Sequence, residues 1–203
     1  SSPAAASVSG IEVNISCPNV ASRGLVFAID PLASAAVIAA VRAAVPAHLP
    51  VFAKLSPDVT DLVTIASACL GAGADGLTLI NTTLGMAIDL DRMRPHLGGI
   101  TGGLSGPAIR PIAVRAIWQV RAAMFAERIP TAPIIGVGGV ASGRDALELA
   151  AAGASAIQVG TATFNDPEAP VRVLDELAGL LDERGYAAFA DVVAAAHPER
   201  RRQ

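Results

Sequence analysis

An alternation of short apolar strand patterns and helical patterns, repeated five times, most constrains the fold of this 203-residue chain. The strand patterns are short and largely apolar, as is typical of parallel strands that are buried on both faces. Each is followed by a stretch whose apolar residues recur with helical spacing. This order predicts an α/β fold with a parallel sheet, either an open doubly wound sheet or a (β/α) barrel. The predicted strands cover residues 11–15, 51–55, 76–80, 133–137 and 156–159.

Capping signals place the helices between these strands. Asp30 precedes a proline and predicts the start of a helix that runs to residue 44. Thr60 and Ser142 are predicted to cap two further helices, and another opens at residue 107. Residues 81–106 carry no helical pattern, and loops of that length are often lids or binding segments. Helices are also predicted at 170–181, with Leu174 facing inward, and at 186–196.

The position of the polar residues favours the barrel over the doubly wound sheet. Candidate ligand groups follow the carboxyl ends of all five predicted strands, as they do in barrels, whereas a doubly wound sheet concentrates them at one switch point. A complete barrel has eight units and about 250 residues. We therefore predict that residues 1–203 form one partial (β/α)8 TIM barrel domain, with about five of the eight βα units present.

A five-unit barrel has a physical cost. Its two outer strands each lack a neighbour, and unpaired strand edges promote aggregation. We expect the isolated chain to be marginally stable or insoluble, and a sharp, reversible thermal transition of the monomer would contradict this expectation.

Charge and hydropathy exclude several classes of partner. The net charge of -3 gives no indication of nucleic-acid binding. No apolar run reaches the roughly 20 residues of a membrane span, and the first ten residues do not resemble a signal peptide. The sequence thus predicts a cytoplasmic protein with neither a membrane nor a nucleic-acid partner.

The histidines and cysteines do not form a metal-binding pattern. His48, His96 and His197 are scattered, and we predict that all three lie at the surface. Cys69 falls in a helical pattern and is predicted to be core, whereas Cys17 follows a strand. Because an iron–sulfur cluster usually takes four thiolates, two separated cysteines cannot hold one.

Two glycine-containing pairs of residues predict a phosphate site. Gly138 and Gly139 follow the fourth predicted strand, and Gly160 and Thr161 follow the fifth. Barrels often bind phosphate in the loops after their last two strands, where glycines let backbone N–H groups approach and a threonine hydroxyl adds a donor. The alternative is that these glycines only form tight turns. Two such pairs at this spacing favour phosphate binding.

Lys54 and Cys17 are the candidate chemical groups. Lys54 lies inside an apolar strand, where a lysine is rarely buried without a partner; the alternative is a side chain that reaches water at the strand end. Cys17 lies in a loop between Asn14 and Asn19. A thiol flanked by amides suits acid–base chemistry on a neutral heterocycle. The alternative for Cys17 is a buried structural cysteine.

Several of these segments together resemble class 1 dihydroorotate dehydrogenases, and the later ones point to class 1B, which works with a separate electron-transfer subunit. The active-site loop at residues 12–19 carries the first resemblance. Residues 88–95 and 104–106 look more like this enzyme than like the flavin domain of dihydropyrimidine dehydrogenase, a near neighbour. The remaining matching segments are residues 52–61, 76–82, 101–111, 136–140 and 159–161.

The resemblance implies flavin mononucleotide (FMN) as the cofactor and gives each candidate residue a role. Cys17 would be the general base. Asn81 and Thr82 would bind the pyrimidine, and Asn14 would contact both pyrimidine and flavin. The flavin ring would lie against Lys54, Ile80 and Gly106. The FMN phosphate would be held by Gly138, Gly139, Gly160 and Thr161.

The implied reaction is oxidation of (S)-dihydroorotate to orotate in pyrimidine biosynthesis. The resemblance also implies a homodimer and a partner subunit that carries FAD and a 2Fe-2S cluster and passes electrons to NAD. Two alternatives are a dihydropyrimidine dehydrogenase-like flavin domain and an inactive truncated remnant. The resemblance implies that this chain begins near the family's fourth strand, so the missing units are the N-terminal ones. They would carry further flavin contacts and the family's substrate-binding lysine, so the remnant would bind flavin weakly or not at all.

Overall fold

The computed structural model describes residues 8–15 and 28–202. The helices are α1 (Pro31–Ala44), α2 (Leu62–Gly71), α3 (Arg110–Phe125), α4 (Gly143–Ala152), α5 (Ala169–Glu183) and α6 (Phe189–Val192). Short 3-10 helices cover Pro107–Ile109, Thr161–Phe164 and Pro198–Arg202. The strands are β1 (Ile11–Asn14), β2 (Val51–Leu55), β3 (Gly76–Leu79), β4 (Thr83–Gly85), β5 (Ile88–Asp89), β6 (Arg94–Pro95), β7 (Gly102–Leu104), β8 (Ile134–Val137) and β9 (Ala156–Gln158).

The main sheet has five strands in the order β1-β2-β3-β8-β9, and each neighbouring pair is parallel. The spatial order of the strands therefore follows their order in the chain. In a doubly wound sheet the spatial order of the strands reverses at a switch point, whereas in a barrel it does not. The α/β prediction of a partial (β/α) barrel is confirmed, with five parallel barrel strands among the described residues.

The two faces of the sheet differ in chemistry. In β2, Val51, Ala53 and Leu55 are buried and belong to the core beneath the helices. Phe52 and Lys54 alternate with them and face the barrel interior, where they are half-buried. A Cβ atom on Gly76 would lie 2.6 Å from the Phe52 ring, so the small residue on β3 makes room for the large one on β2. Alternation along each strand therefore separates the helix-packed core from the interior that carries the site.

The helices begin where local capping chemistry dictates, with one difference from the predictions. The side chain of Asp30 accepts a hydrogen bond from the Leu32 amide and caps α1, and Ser142 caps α4. The prediction of Thr60 as the cap of α2 is wrong. Asp61 caps this helix, because its carboxylate accepts from both the Val63 and Thr64 amides. Both amides donate to Oδ1 of Asp61, while Oδ2 accepts from the Thr64 hydroxyl at 2.6 Å. One carboxylate thus satisfies two of the helix's free N–H donors.

Residues 81–106 are more ordered than the predicted loop. They contain two antiparallel pairs, β4 with β7 and β5 with β6. Strands of two or three residues are too short to show an alternating pattern, so the sequence could not indicate them. Residues 81–106 expose several apolar side chains, among them Leu90, which is 76% exposed, and Met93, which is 79% exposed.

The C-terminal segment overturns three predictions. The helix predicted at 186–196 is only the single turn α6, and Leu174 is 63% exposed instead of facing inward. His197, predicted at the surface, is fully buried. Its ring stacks on Trp118 with centroids 3.7 Å apart, and its Nε2 lies 2.9 Å from the carbonyl oxygen of Ala152. The aromatic neighbour and the carbonyl partner offset part of the cost of burying the imidazole, whose Nδ1 has no hydrogen-bond partner among the described residues.

Among residues 8–15 and 28–202, none of the helices combines the length and the apolar character that a bilayer crossing demands.

Candidate functional site

A cavity of about 360 Å³ opens at the carboxyl end of the parallel sheet. Its wall is formed by the loops that follow β3, β8 and β9, by the end of β2, and by the segment that leads into α3. All of these strands point the same way, so their following loops meet at one rim. A cavity of this size is in the range of small-molecule sites.

The two glycine-containing pairs lie together in the cavity wall. Gly138 and Gly139 have φ angles of 133° and 76°, a region that side-chain-bearing residues rarely adopt. A Cβ atom on Gly139 would lie 2.8 Å from the Arg110 amide nitrogen and 2.9 Å from the Gly106 carbonyl oxygen. A Cβ atom on Gly160 would meet nothing within 4 Å. The Gly139 position is thus required for close backbone packing, whereas the space beside Gly160 is open.

Thr161 and Gly106 complete this end of the cavity. Thr161 begins the 3-10 helix that follows Gly160 and is exposed to solvent. Gly106 has a φ angle of 81° and accepts a hydrogen bond from the Ile109 amide at 3.1 Å, which starts the turn into α3. Backbone N–H groups and a hydroxyl, held in glycine-rich turns, can bind a phosphate group.

Lys54 lies in the same wall, paired with a carboxylate. Its Nζ is 2.9 Å from Oε1 of Glu12, and the Nε2 of Gln158 donates to Oε2 of Glu12 at 3.0 Å. Burial raises the pKa of Glu12, but hydrogen bonds from Lys54 and Gln158 outweigh that effect and hold its pKa below the ordinary value. Glu12 is therefore ionised at neutral pH, and the lysine is not a strand-end cation in open water.

The amide residues form a short hydrogen-bonded chain near Lys54. The Nδ2 of Asn81 donates to the Oδ1 of Asn14 at 3.0 Å, and the Oδ1 of Asn81 accepts from the Thr82 amide at 2.9 Å. Asn81 and Thr82 line the cavity, and Asn14 reaches it through Asn81. Ile80, just before them, also lines the cavity and is buried. These contacts fix the orientation of the Asn81 amide.

Cys17 and Asn19 lie outside the described residues. The nearest described positions before them are Asn14 and Ile15, at the carboxyl end of β1. The role predicted for Cys17 therefore stays a prediction. Cys69, by contrast, is fully buried in α2, as predicted.

Sequence reasoning missed three residues of this region: Glu12, Gln158 and Arg172. Arg172 lines the cavity beside the glycine loops and forms ion pairs of 2.9 Å with both Asp166 and Glu176. Hydrogen bonds from the Arg172 guanidinium to Glu176 and, with a smaller effect, to Asp166 raise the pKa of Arg172. The Arg172 and Glu176 spacing of four residues on a helix was the one signal that could have indicated this pair.

The fold is a partial (β/α) barrel, and glycine-rich turns and amide side chains line one cavity at its carboxyl rim. The family model described as dihydroorotate dehydrogenase matches residues 4–181. The chain belongs to the dihydroorotate dehydrogenase family.

Individual relatives agree with this assignment. The chain is 52% identical over 188 residues to the dihydroorotate dehydrogenase B (NAD(+)) catalytic subunit of Trichlorobacter lovleyi, which covers 93% of this chain and 59% of that protein. It is 50% identical over 190 residues to the protein of the same name from Desulforudis audaxviator, again with 59% of the relative covered. The crystal structure of the Eimeria tenella dihydroorotate dehydrogenase with ferulenol superposes with a TM-score of 0.77 at 25% identity, covering 94% of this chain and 55% of that one. The chain thus spans about 59% of the length of the curated relatives it matches.

Proposed function

We propose that this chain forms the FMN-binding and pyrimidine-binding part of a dihydroorotate dehydrogenase that oxidises (S)-dihydroorotate to orotate. One observation carries the proposal. Two glycine loops, a carboxylate-paired lysine and an oriented amide pair converge on one cavity at the carboxyl rim of a barrel. The names of the relatives supply the reaction, because fold alone does not imply function.

The residues present fit FMN. Gly138, Gly139, Gly160 and Thr161 would hold the phosphate with backbone N–H groups and one hydroxyl, and the open space beside Gly160 leaves room for it. Lys54 would face the pyrimidine edge of the flavin ring, with Ile80 and Gly106 against it. Bound FMN would supply the two-electron chemistry by accepting the hydride from C6 of dihydroorotate.

The chain's own residues would bind the substrate and move the proton. Asn14, Asn81 and Thr82 would hydrogen-bond the pyrimidine carbonyl and N–H groups, and a site built this way discriminates strongly against analogues without those groups. Cys17 would remove the C5 proton as a thiolate base. The Lys54 ammonium would place positive charge where negative charge develops on reduction.

We also propose the assembly that the relatives' name suggests. The words "NAD(+)" and "catalytic subunit" favour a partner subunit, which would carry FAD and a 2Fe-2S cluster and pass electrons to NAD. A homodimer of the catalytic subunit in the cytoplasm completes this proposal. The assembly would act in pyrimidine biosynthesis.

An inactive remnant is the second candidate, favoured by the two outer strands β1 and β9, each of which pairs with only one neighbour among the described strands. Colour separates the two candidates. We expect the purified chain, incubated with FMN and desalted, to be yellow and to bleach anaerobically when (S)-dihydroorotate is added. A colourless chain that cannot be reconstituted with FMN would refute the first candidate and favour the remnant.

Cys17→Ser tests the proposed base, with Cys69→Ala as the control. We expect Cys17→Ser to retain FMN but to bleach slower by about 100-fold or more at neutral pH, since a positioned base contributes at least that much. Cys69 lies in the helical core, so Cys69→Ala should bleach at the unaltered rate. Unchanged bleaching in Cys17→Ser would remove Cys17 from the mechanism.

A further inference from the structure

The interior of this barrel carries a polar layer beneath the cavity. Barrel interiors are usually filled by branched apolar side chains that alternate strands contribute in layers. Here the alternate strands β1, β3 and β9 contribute Glu12, Thr78 and Gln158. The Nε2 of Gln158 donates to Glu12 at 3.0 Å, although the two residues are 146 positions apart and sit on the first and last strands of the sheet.

The polar layer acts on one residue of the cavity wall. Lys54, on the intervening strand β2, lies one step nearer the rim, and its Nζ is 2.9 Å from the second oxygen of Glu12. The side chains of Lys54 and Glu12 are 20% and 31% exposed. A charge-assisted pair at this depth holds its geometry far better than one in open water.

The composition of the chain makes Lys54 unusual. The sequence holds 15 basic residues, of which fourteen are arginine and one, Lys54, is lysine. A lysine ammonium is a compact point charge on a flexible stem, whereas the guanidinium of arginine is a rigid planar fork. A flexible stem needs an external partner if its charge is to point in one direction, and Glu12 supplies that partner.

We propose that Glu12 is a positioning residue, which Gln158 fixes from across the barrel and which directs the Lys54 ammonium to one place in the cavity wall. The inference deepens the proposed function, since it rests on the proposed flavin site for its purpose. The lowered pKa of Glu12 agrees with it, because only the ionised carboxylate can hold both donors. Glu12 and Gln158 thus hold the Lys54 ammonium in one orientation before a ring system binds in the cavity.

The single lysine permits a direct test on the full chain. Labelling with ¹⁵N-lysine gives one backbone amide signal, which reports whether each variant is folded, and one side-chain ammonium signal. Ammonium protons held by a carboxylate exchange slowly with water and are observable by NMR. We expect a slowly exchanging Lys54 signal in the unsubstituted chain and exchange at least about tenfold faster in Glu12→Gln and Glu12→Ala.

Two further variants make the test specific. Gln158→Met keeps the Glu12 carboxylate but removes the amide that donates to it, so exchange at the Lys54 ammonium should rise to an intermediate rate. If the Glu12 variants do not fold, the exchange rate in Gln158→Met tests the positioning role instead. Glu148→Gln is the matched control, because Glu148 lies on the outer helix α4 and pairs with Arg110 at 2.9 Å. It should leave the Lys54 signal unchanged.

The outcomes separate the inference from the proposed function. Slow exchange that persists in folded Glu12→Ala, or fast exchange in the unsubstituted chain, would overturn the positioning role. Adding FMN should shift the Lys54 ammonium signal of the unsubstituted chain. If Glu12→Ala speeds exchange while FMN causes no shift, the positioning role stands and the proposed flavin site fails.

Discussion

Replacing Thr161 by valine isolates the phosphate contact from the rest of the site. The two side chains have nearly the same shape, and Thr161 is exposed in the first position of its 3-10 helix. The free energy of unfolding should therefore change by less than about 0.5 kcal/mol, as is usual for exposed positions. The substitution removes one hydroxyl donor beside Gly160 in the cavity wall.

The magnitude depends on the charge of the ligand. A hydrogen bond to a charged group contributes about 1.5–3 kcal/mol, which corresponds to roughly 10-fold to 150-fold in affinity. We expect Thr161→Val to weaken FMN binding by about this factor. Riboflavin, which has the same ring system without the phosphate, should bind the variant and the unsubstituted chain equally well.

The assay is titration of flavin fluorescence with each chain, using FMN and riboflavin in parallel. Thr131→Val is the matched control, since Thr131 is exposed in the segment before β8, at the opposite end of the strands. It should alter neither affinity. Equal weakening of FMN and riboflavin by Thr161→Val would show that the residue shapes the pocket without contacting phosphate, and no weakening of either would remove it from the site.

Three further predictions concern stability and reactivity. Burial raises the pKa of Cys69 to about 12, so a thiol reagent should react with Cys69 only on unfolding, and any fast reaction of the native chain should disappear in Cys17→Ser. Asp61→Ala should lower the free energy of unfolding by about 1 kcal/mol in urea denaturation, because α2 loses its cap. The pKa of Glu12 is lowered from 4.5 in the folded state, so its stabilising effect exists above that value and is lost as pH falls. The urea midpoints of the unsubstituted chain and Glu12→Gln should therefore differ at pH 7 and converge as the pH falls below the ordinary pKa of a glutamate.

Local sequence signals predicted the parts of the fold that local chemistry determines. The helix α1 begins and ends at the predicted residues because Asp30 caps it and a proline follows its end. The bounds of the other four main-sheet strands each differ from prediction by one residue at one end, because the sequence specifies strand ends only weakly. The cavity could be predicted because, in a parallel barrel, the loops that leave the carboxyl ends of the strands all lie at the same rim.

Long-range contacts explain the features that the sequence could not show. His197 looked like a surface histidine because its partners, Trp118 and Ala152, are distant in the chain. Glu12 looked like the solvent-facing member of an alternating strand, and only the curvature of the sheet brings Gln158 to it. Tertiary pairing of this kind leaves no periodic signal along the chain.

The Glu12–Gln158 contact also bears on how this chain is stabilised. Among the described strands, β1 and β9 each pair with one neighbour, so both present an open edge. Inward-facing Phe52 and Ile135 are only half-buried, which leaves apolar surface in contact with water. Two polar side chains that meet across the barrel add roughly 1 kcal/mol, far less than paired edges and a filled interior would. The expectation of a marginally stable chain therefore stands on these open edges, and a sharp, reversible thermal transition in dilute monomeric protein would show that the five units are sufficient.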